Sequence, residues 1–314
     1  ENVAVIGGGF IGVEFAEQIS MTGKKVTLVE MADACLWQAF DKSYTDDIEK
    51  MMREKGINVL TNTKVKKIIG DKKAEALELD NGDKIPAELV ILGLGVRPNG
   101  LLAKEAGLDV NAKGAIIVDQ YTRTSDPDIF AVGDCAEKKC FFTNKDVPVL
   151  LASTAAMEAK IAGSNAFQLR LIRANKGTIS AFSTQIFGKT FAAAGLTEAR
   201  ARQEGFTINV GEFTTMDRHP GSLPGTSTVQ IKLIFSKCSG VILGAQISGG
   251  DTVGEMINIL SLAIQKGLTA TELNTFQVAT HPLLSASPIA YPINAASMNA
   301  IAQNCRHLNE GLVI

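Results

Sequence analysis

A glycine run between an apolar strand and a helix constrains this chain more than any other feature. Asn2-Val3-Ala4-Val5-Ile6 suits a buried strand, Gly7-Gly8-Gly9-Phe10-Ile11-Gly12 follows, and residues 11–21 read as a helix stopped at Gly23. In that setting Gly7-x-Gly9-x-x-Gly12 builds a strand-to-helix turn. Gly7 permits the tight turn, Gly9 lets a phosphate approach the backbone, and Gly12 lets helix and strand pack closely. The free N–H groups of the helix start carry partial positive charge and hold anions. Alone, the pattern also fits a glycine turn that only packs. The next strand, residues 25–29, runs into Glu30, roughly 20 residues after the motif begins, where a carboxylate meets the adenosine ribose of a bound dinucleotide. Strand, helix and acid in register assign Gly7, Gly9, Gly12 and Glu30 to dinucleotide binding.

Glu30 also selects. A carboxylate accepts from a ribose 2′-OH and repels a 2′-phosphate, and residues 31–40 contain no Arg or Lys to welcome that phosphate. The expected cofactor is NADH in preference to NADPH.

Further along, a helix is expected over residues 46–54, capped by Thr45 and closed by Gly56, then a strand at 57–60. The period then becomes two: residues 64–69 and 74–80 alternate as strands before an Asn81-Gly82 turn. This meander replaces a crossover helix, and residues 89–92 return to the sheet ahead of Gly93-Leu94-Gly95-Val96-Arg97-Pro98-Asn99. A second motif, Thr124-Ser125-Asp126-Pro127-Asp128-Ile129-Phe130-Ala131-Val132-Gly133-Asp134, puts one carboxylate beside glycine at a strand end. A second cofactor can lie there, and two adjacent cofactors imply electron traffic. An Ala-rich helix is expected over 153–172. From about 173 the chain turns antiparallel: residues 226–235 and 241–247 pair across Ser239-Gly240, a helix over 252–266 ends at Gly267, and Thr269-Ala270-Thr271-Glu272 is a capping box.

Together these residues resemble the pyridine nucleotide–disulfide oxidoreductases, flavoproteins with two dinucleotide-binding domains. Gly7 through Glu14 is similar to the family's NAD motif, Glu14 included. The segment 91–99, with Gly95 and Val96, is similar to its loop beneath the nicotinamide. Residues 124–134 are similar to its second flavin motif, where Asp134, after Gly133, accepts from the ribityl chain of FAD. Ala193-Ala194-Gly195-Leu196-Thr197-Glu198 resembles the entry to the dimerisation domain. The resemblance implies an α/β architecture: a Rossmann-like NAD-binding domain with an inserted β-meander (1–118), a partial FAD-binding domain (119–172) and a C-terminal α+β dimerisation domain (173–314). It implies a homodimer using FAD and NAD. Its nearest branch comprises NADH oxidases, coenzyme A-disulfide reductases and polysulfide reductases. There an aromatic residue at the position of Phe10, beside Ile11, gates the flavin; a plain packing role also fits Phe10.

In the family an FAD-binding segment precedes the NAD motif and carries, in most branches, the redox cysteine. This chain starts on a strand without Met, so a longer protein lacking its N-terminal portion is expected. The flavin-binding portion, 119–172, would then be half a domain, either poorly ordered or rescued by packing. The C-terminal Ala279-Thr280-His281-Pro282 resembles the family's His-Pro element, whose His serves the opposite subunit's thiols as acid–base. The orienting Glu of that element is Ala286 here, so a packing role stands beside the catalytic one. Tyr291 is the other candidate, because C-terminal tyrosines reach the partner's site in the coenzyme A-disulfide branch. Cys135 and Cys140 have a C-x4-C spacing but follow the flavin motif, and they read as ordinary thiols. A metal site is not expected, since no second Cys/His pair has ligand spacing. His219 and His307 have no evident partner.

Net charge is −2, which does not suggest a nucleic-acid binder. No apolar run reaches the ~18 residues of a membrane-spanning helix. The five cysteines are odd in number and scattered, as free thiols in a reducing cytoplasm are. The helix over 252–266 has too many apolar positions for one narrow face, which fits a dimer interface. The expected activity is transfer of hydride from NADH to FAD and of electrons onward to a disulfide, coenzyme A disulfide, polysulfide or oxygen. A ferredoxin or rubredoxin reductase and a non-catalytic NAD-binding dimerisation fragment are the alternatives.

Overall fold

The computed structural model describes residues 1–167 and 174–310, with side chains of the last helix described to residue 303. It contains two compact units, Glu1–Gly95 with Ala181–Ile314, and Val96–Ser180.

The first unit opens with β1 (Asn2–Ile6), α1 (Phe10–Ser20), β2 (Lys25–Val29), α2 (Lys42–Glu54) and β3 (Asn58–Leu60). The meander β4 (Val65–Ile69), β5 (Ala76–Leu79) and β6 (Lys84–Pro86) follows, and β7 (Leu89–Leu92) rejoins the first sheet. That sheet is parallel, in the order β3-β2-β1-β7. The meander is a separate antiparallel sheet, β4-β5-β6. Tyr44, Ile48 and Met52 of α2 are fully buried. Their four-residue spacing places them on one helical face, and each contributes about 2 kcal/mol by leaving water.

Helix α2 begins a turn earlier than expected. Asp41 is its N-cap and Thr45 lies inside it, with Oγ donating to the Lys42 carbonyl at 3.1 Å. Thr45 looks like a cap because Asp46 and Asp47 follow it, but the tertiary partners of Asp41 set the start.

The second unit holds α3 (Leu101–Glu105) and α4 (Ala152–Asn165). Helix α4 stops short of the expected end at 172, and residues 168–172 of that expectation lie outside the described residues. Among the described residues this unit has isolated β-bridges, such as Ile116 to Ala136 and Arg123 to Phe130, and no continuous strand. Its small core gathers Ile116, Ala131 and Ala136.

The first unit resumes with β8 (Phe182–Ile186), β9 (Lys189–Gly195), α5 (Glu198–Gln203), β10 (Ile208–Met216), β11 (Thr228–Ser236) and β12 (Ile242–Gly249). These strands form one antiparallel sheet, β10-β11-β12-β9-β8. Helices α6 (Val253–Lys266), α7 (Ala270–Thr275) and α8 (Pro292–Glu310) complete the chain. Gly267 ends α6 in the left-handed conformation, and the Thr269–Glu272 capping box opens α7. The first sheet and the antiparallel sheet share a core, in which Val5, Leu28 and Tyr44 pack with Ile186, Phe191 and Ala193.

Candidate functional site: the glycine-loop cavity

Gly7 takes φ +107°, and a Cβ there would stand 2.3 Å from the Gly93 carbonyl oxygen. A Cβ on Gly12 would stand 1.8 Å from the Gly7 carbonyl oxygen. Both positions therefore need hydrogen as side chain, the first for loop shape and proximity to the β7 exit, the second for helix–loop packing. Gly9 differs: it caps α1, and its Cβ position has no atom within 4 Å. Its missing side chain leaves an approach to the helix N-terminus, which is what a phosphate needs.

Beside this loop lies a cavity of about 690 Å³, lined by Gly7, Gly8, Gly9, Phe10, Glu30, Met31, Trp37, Lys64 and Gly95 among others, a volume ordinary for a small-molecule or cofactor site. Glu30 sits on its wall with both carboxylate oxygens oriented by backbone. Oε2 accepts from Gly8 N–H at 2.5 Å and Oε1 from Ala32 N–H at 2.7 Å. A carboxylate offers about four lone-pair positions, so acceptor capacity remains for sugar hydroxyls. The geometry fits a dinucleotide: an open helix start for phosphate and a fixed acid for ribose. Trp37 and Lys64 are among the lining residues that the sequence did not point to. Trp37 is half-exposed, and its position follows from the path of loop 31–41, which local pattern does not encode. Lys64 enters from the start of the meander, remote in sequence from Glu30.

Ile11 and Glu14 do not line the cavity, and Phe10 does so while packing on β8. The Phe10 ring packs edge-on against Phe182 at 4.7 Å, although the residue also lines the cavity. Ile11 is half-exposed. Glu14 accepts from the Thr184 hydroxyl of β8 at 2.7 Å. Behind the loop, Cys35 is fully buried against Gly8, with its thiol pushed up to about 12 by burial and by Glu49 and Glu30.

In the second unit Gly133 has φ +76° and opens a single 3-10 turn, which leaves the Asp134 carboxylate exposed. Val96 is exposed. A buried pair unread from the sequence holds this turn. The Lys138 ammonium donates to the carbonyls of Gly133 at 2.5 Å and Ala136 at 2.9 Å and meets Glu158 Oε2 at 3.0 Å. Glu158 Oε2 also accepts from Gly133 N–H at 2.9 Å. A left-handed glycine and an outward carboxylate fit the role that resemblance gives to the Gly133-Asp134 turn toward a flavin. Cys135 and Cys140 are free thiols.

Near the C-terminus His281 is exposed, and its Nδ1 accepts from Leu283 N–H at 3.2 Å, leaving Nε2 toward solvent. Ala286, in place of an orienting acid, is buried. His219 donates its backbone N–H to Pro282 at 3.2 Å. The His307 side chain lies outside the described residues. Tyr291 is buried against Phe276 and lines a 490 Å³ cavity with Met256, Ile259, Leu262 and Leu284; burial raises its phenol pKa. His281 does not line that cavity.

The model of the pyridine nucleotide-disulphide oxidoreductases matches residues 1–162. The chain belongs to that family. The dimerisation-domain model of the pyridine nucleotide-disulphide oxidoreductases matches residues 182–289. Among relatives, an NADH oxidase of Streptococcus pyogenes serotype M6 is 34% identical over 273 residues, 87% of this chain and 59% of the relative. An NADH oxidase of Methanocaldococcus jannaschii is 33% identical over 303 residues, 96% of this chain and 65% of the relative. An NAD(P)H coenzyme A polysulfide/persulfide reductase of Pyrococcus horikoshii is 32% identical, over 87% of this chain and 60% of the relative. Among solved structures, the NAD-dependent persulfide reductase from A. fulgidus aligns with a TM-score of 0.88 and 34% identity, over 98% of this chain and 56% of that one. The water-forming NADH oxidase from Lactobacillus brevis, bound to NADH, aligns at 0.84 and 30%, over 98% and 66%. The chain thus spans about three fifths of the length of these pyridine nucleotide-disulphide oxidoreductases. Among its described residues, no helix is long and apolar enough to cross a membrane.

Proposed function

We propose that this chain is the NADH-binding part of a flavin-dependent oxidoreductase whose electrons pass to a disulfide, coenzyme A disulfide, polysulfide or oxygen. The observation that carries the reading is the pairing of an open glycine cap at the start of α1 with the Glu30 carboxylate on the wall of one cavity. When bound, NADH supplies hydride and FAD receives it. The residues of the chain bind and orient. The α1 N-terminus takes the pyrophosphate, Glu30 takes the ribose, Gly95 passes the nicotinamide end, and Gly133 with Asp134 serves the flavin's ribityl chain. The relatives include NADH oxidases and polysulfide or persulfide reductases, which supports the oxygen and polysulfide ends of this range.

NADH is preferred to NADPH because the Glu30 charge, held by two backbone N–H groups, faces the position of a 2′-phosphate. Lys64 is a cation on the same cavity, but it is exposed and free to swing into water. We further assign a homodimer built on the C-terminal region around α6, since Ile259, Leu262 and Leu284 are exposed and line one cavity there, and a cytoplasmic setting, which suits its free thiols. His281 and Tyr291 are proposed to serve the partner subunit's site, His281 through its free Nε2.

The test titrates NADH and NADPH against the chain, using the emission of Trp37, the one tryptophan in the sequence; the nicotinamide of NADH absorbs where tryptophan emits. Glu30→Gln removes a charged acceptor worth about 1.5–3 kcal/mol, a rise of about 10- to 100-fold in the Kd for NADH. Glu30→Ala with Met31→Arg reverses the preference. Equal binding of NADH and NADPH by the wild type sinks the selectivity; absence of binding by either sinks the reading.

A further inference from the structure

One wall of the glycine-loop cavity is loop 31–41, which contributes Met31, Leu36, Trp37 and Ala39. The loop touches the glycine turn through Leu36 N–H, which donates to the Gly8 carbonyl at 2.8 Å. It ends at Asp41, the N-cap of α2, yet the Asp41 side chain makes no cap bond to its own helix. Its carboxylate instead accepts the first N–H groups of α5, Glu198 to Oδ2 at 3.0 Å and Ala199 to Oδ1 at 3.2 Å. Thr197, the cap of α5, takes only the Arg200 N–H. A residue beside the cavity therefore completes the cap of a helix more than 150 positions away in the chain.

The same carboxylate is gripped twice more. Gln246 of β12 donates Nε2 to Asp41 Oδ2 at 2.5 Å and accepts Asp41 N–H on Oε1 at 2.7 Å. Lys232 of β11 stands 3.3 Å from Asp41 Oδ2, with Glu198 at 2.6 Å and Glu212 at 3.6 Å from its ammonium. Asp41, Lys232 and Gln246 are all buried. Burial opposes the Lys232 charge, but Glu198, Asp41 and Glu212 outweigh it and raise its pKa. One residue before Asp41, Phe40 is buried and stacks edge-on against Phe182, the ring that also holds Phe10.

We infer that Asp41, clamped by Gln246 and Lys232, is a positioning residue for nucleotide binding, through which the C-terminal sheet holds loop 31–41 in its NADH-competent form. This rests on reading the cavity as the NADH site. The clamp contacts neither phosphate loop nor ribose acid. Its effect is preorganisation: a loop already ordered costs nothing further to order when ligand arrives. If release of the clamp leaves the competent loop populated about a tenth of the time, the apparent Kd rises about tenfold.

The experiment compares the full 314-residue chain with Asp41→Asn, Gln246→Leu and Asp47→Asn. Asp41→Asn keeps shape but removes the charge opposite Lys232 and turns an amide donor toward helix N–H groups. Asp47 pairs with Lys189 across the same two layers, so Asp47→Asn reports a general loosening. NADH affinity is read from Trp37 quenching, loop order from acrylamide quenching of Trp37 without ligand, and folding from circular dichroism. The expected result is a rise in Kd of about tenfold for Asp41→Asn and Gln246→Leu, with Trp37 more accessible to acrylamide, and neither change for Asp47→Asn. If Asp41→Asn does not fold, Gln246→Leu decides by the same readings. Wild-type binding with unaltered Kd and acrylamide access in folded clamp variants overturns the assignment alone. A wild-type chain that does not bind NADH overturns the reading of the cavity and the assignment with it.

Discussion

Lys138→Met should release the turn that carries Asp134. Lys138 is 5% and Glu158 2% exposed, so neither charge has water to fall back on. The Lys138 ammonium has three partners, two carbonyls and one carboxylate, which accounts for all three of its protons. Glu158 Oε2 is shared between that ammonium and the Gly133 N–H. Removing the cation leaves a buried carboxylate uncompensated, which costs about 3–5 kcal/mol. Local openings that wet Glu158 then become about a hundred- to a few-thousand-fold more populated, at 1.4 kcal/mol per factor of ten. Hydrogen exchange of the peptide covering residues 129–138 reads this directly, because the Gly133 amide is one of the bonds lost. Lys138→Met with Glu158→Gln removes both charges and keeps an acceptor for that amide, so it should recover most of the protection. Unchanged exchange in the single variant, or a double variant no slower than the single, would refute the reasoning. The same variants bear on the proposed flavin role of Asp134, since its exposed carboxylate follows the pinned glycine.

Two further effects follow from groups held by their surroundings. The Cys35 thiol, pushed up to about 12, stays protonated in the folded chain while the unfolded thiol ionises near 8.5. Its contribution to stability is therefore complete below about pH 8.5 and declines as pH rises toward 12, with a slope of about 1.4 kcal/mol per pH unit; alkaline denaturation of Cys35→Ala should lack that slope, and iodoacetamide should label exposed Cys238 long before Cys35. Thr269→Ala breaks a reciprocal cap in which Glu272 Oε2 accepts from Thr269 N–H at 2.7 Å; the expected loss is about 1 kcal/mol, seen as a lower urea midpoint at constant m-value, and an unchanged midpoint would count against the cap.

Much of the fold is legible because it is local. The packing of Gly12 on the Gly7 carbonyl, the left-handed stop at Gly267 and the Thr269 capping box are decided by neighbours a few residues away. Glu30 is legible for the same reason, its strand and the glycine motif being one βαβ unit. The start of α2 misleads: Thr45 before two aspartates is the better local signal, and Asp41 prevails because partners at 198, 232 and 246 hold it. Trp37 and Lys64 reach the cavity by loop path and strand return, which periodicity does not carry.

Residue order alone singled out Gly7, Gly9, Gly12 and Glu30 as the proposed phosphate and ribose positions, since they fall within one strand–turn–helix–strand segment. Only the tertiary structure decided which groups keep that segment in shape. Asp41, Lys232, Gln246, Lys138 and Glu158 are ordinary polar letters in the sequence. They become positioning groups because folding removes their water and leaves each other, and a few backbone amides, as the partners that remain.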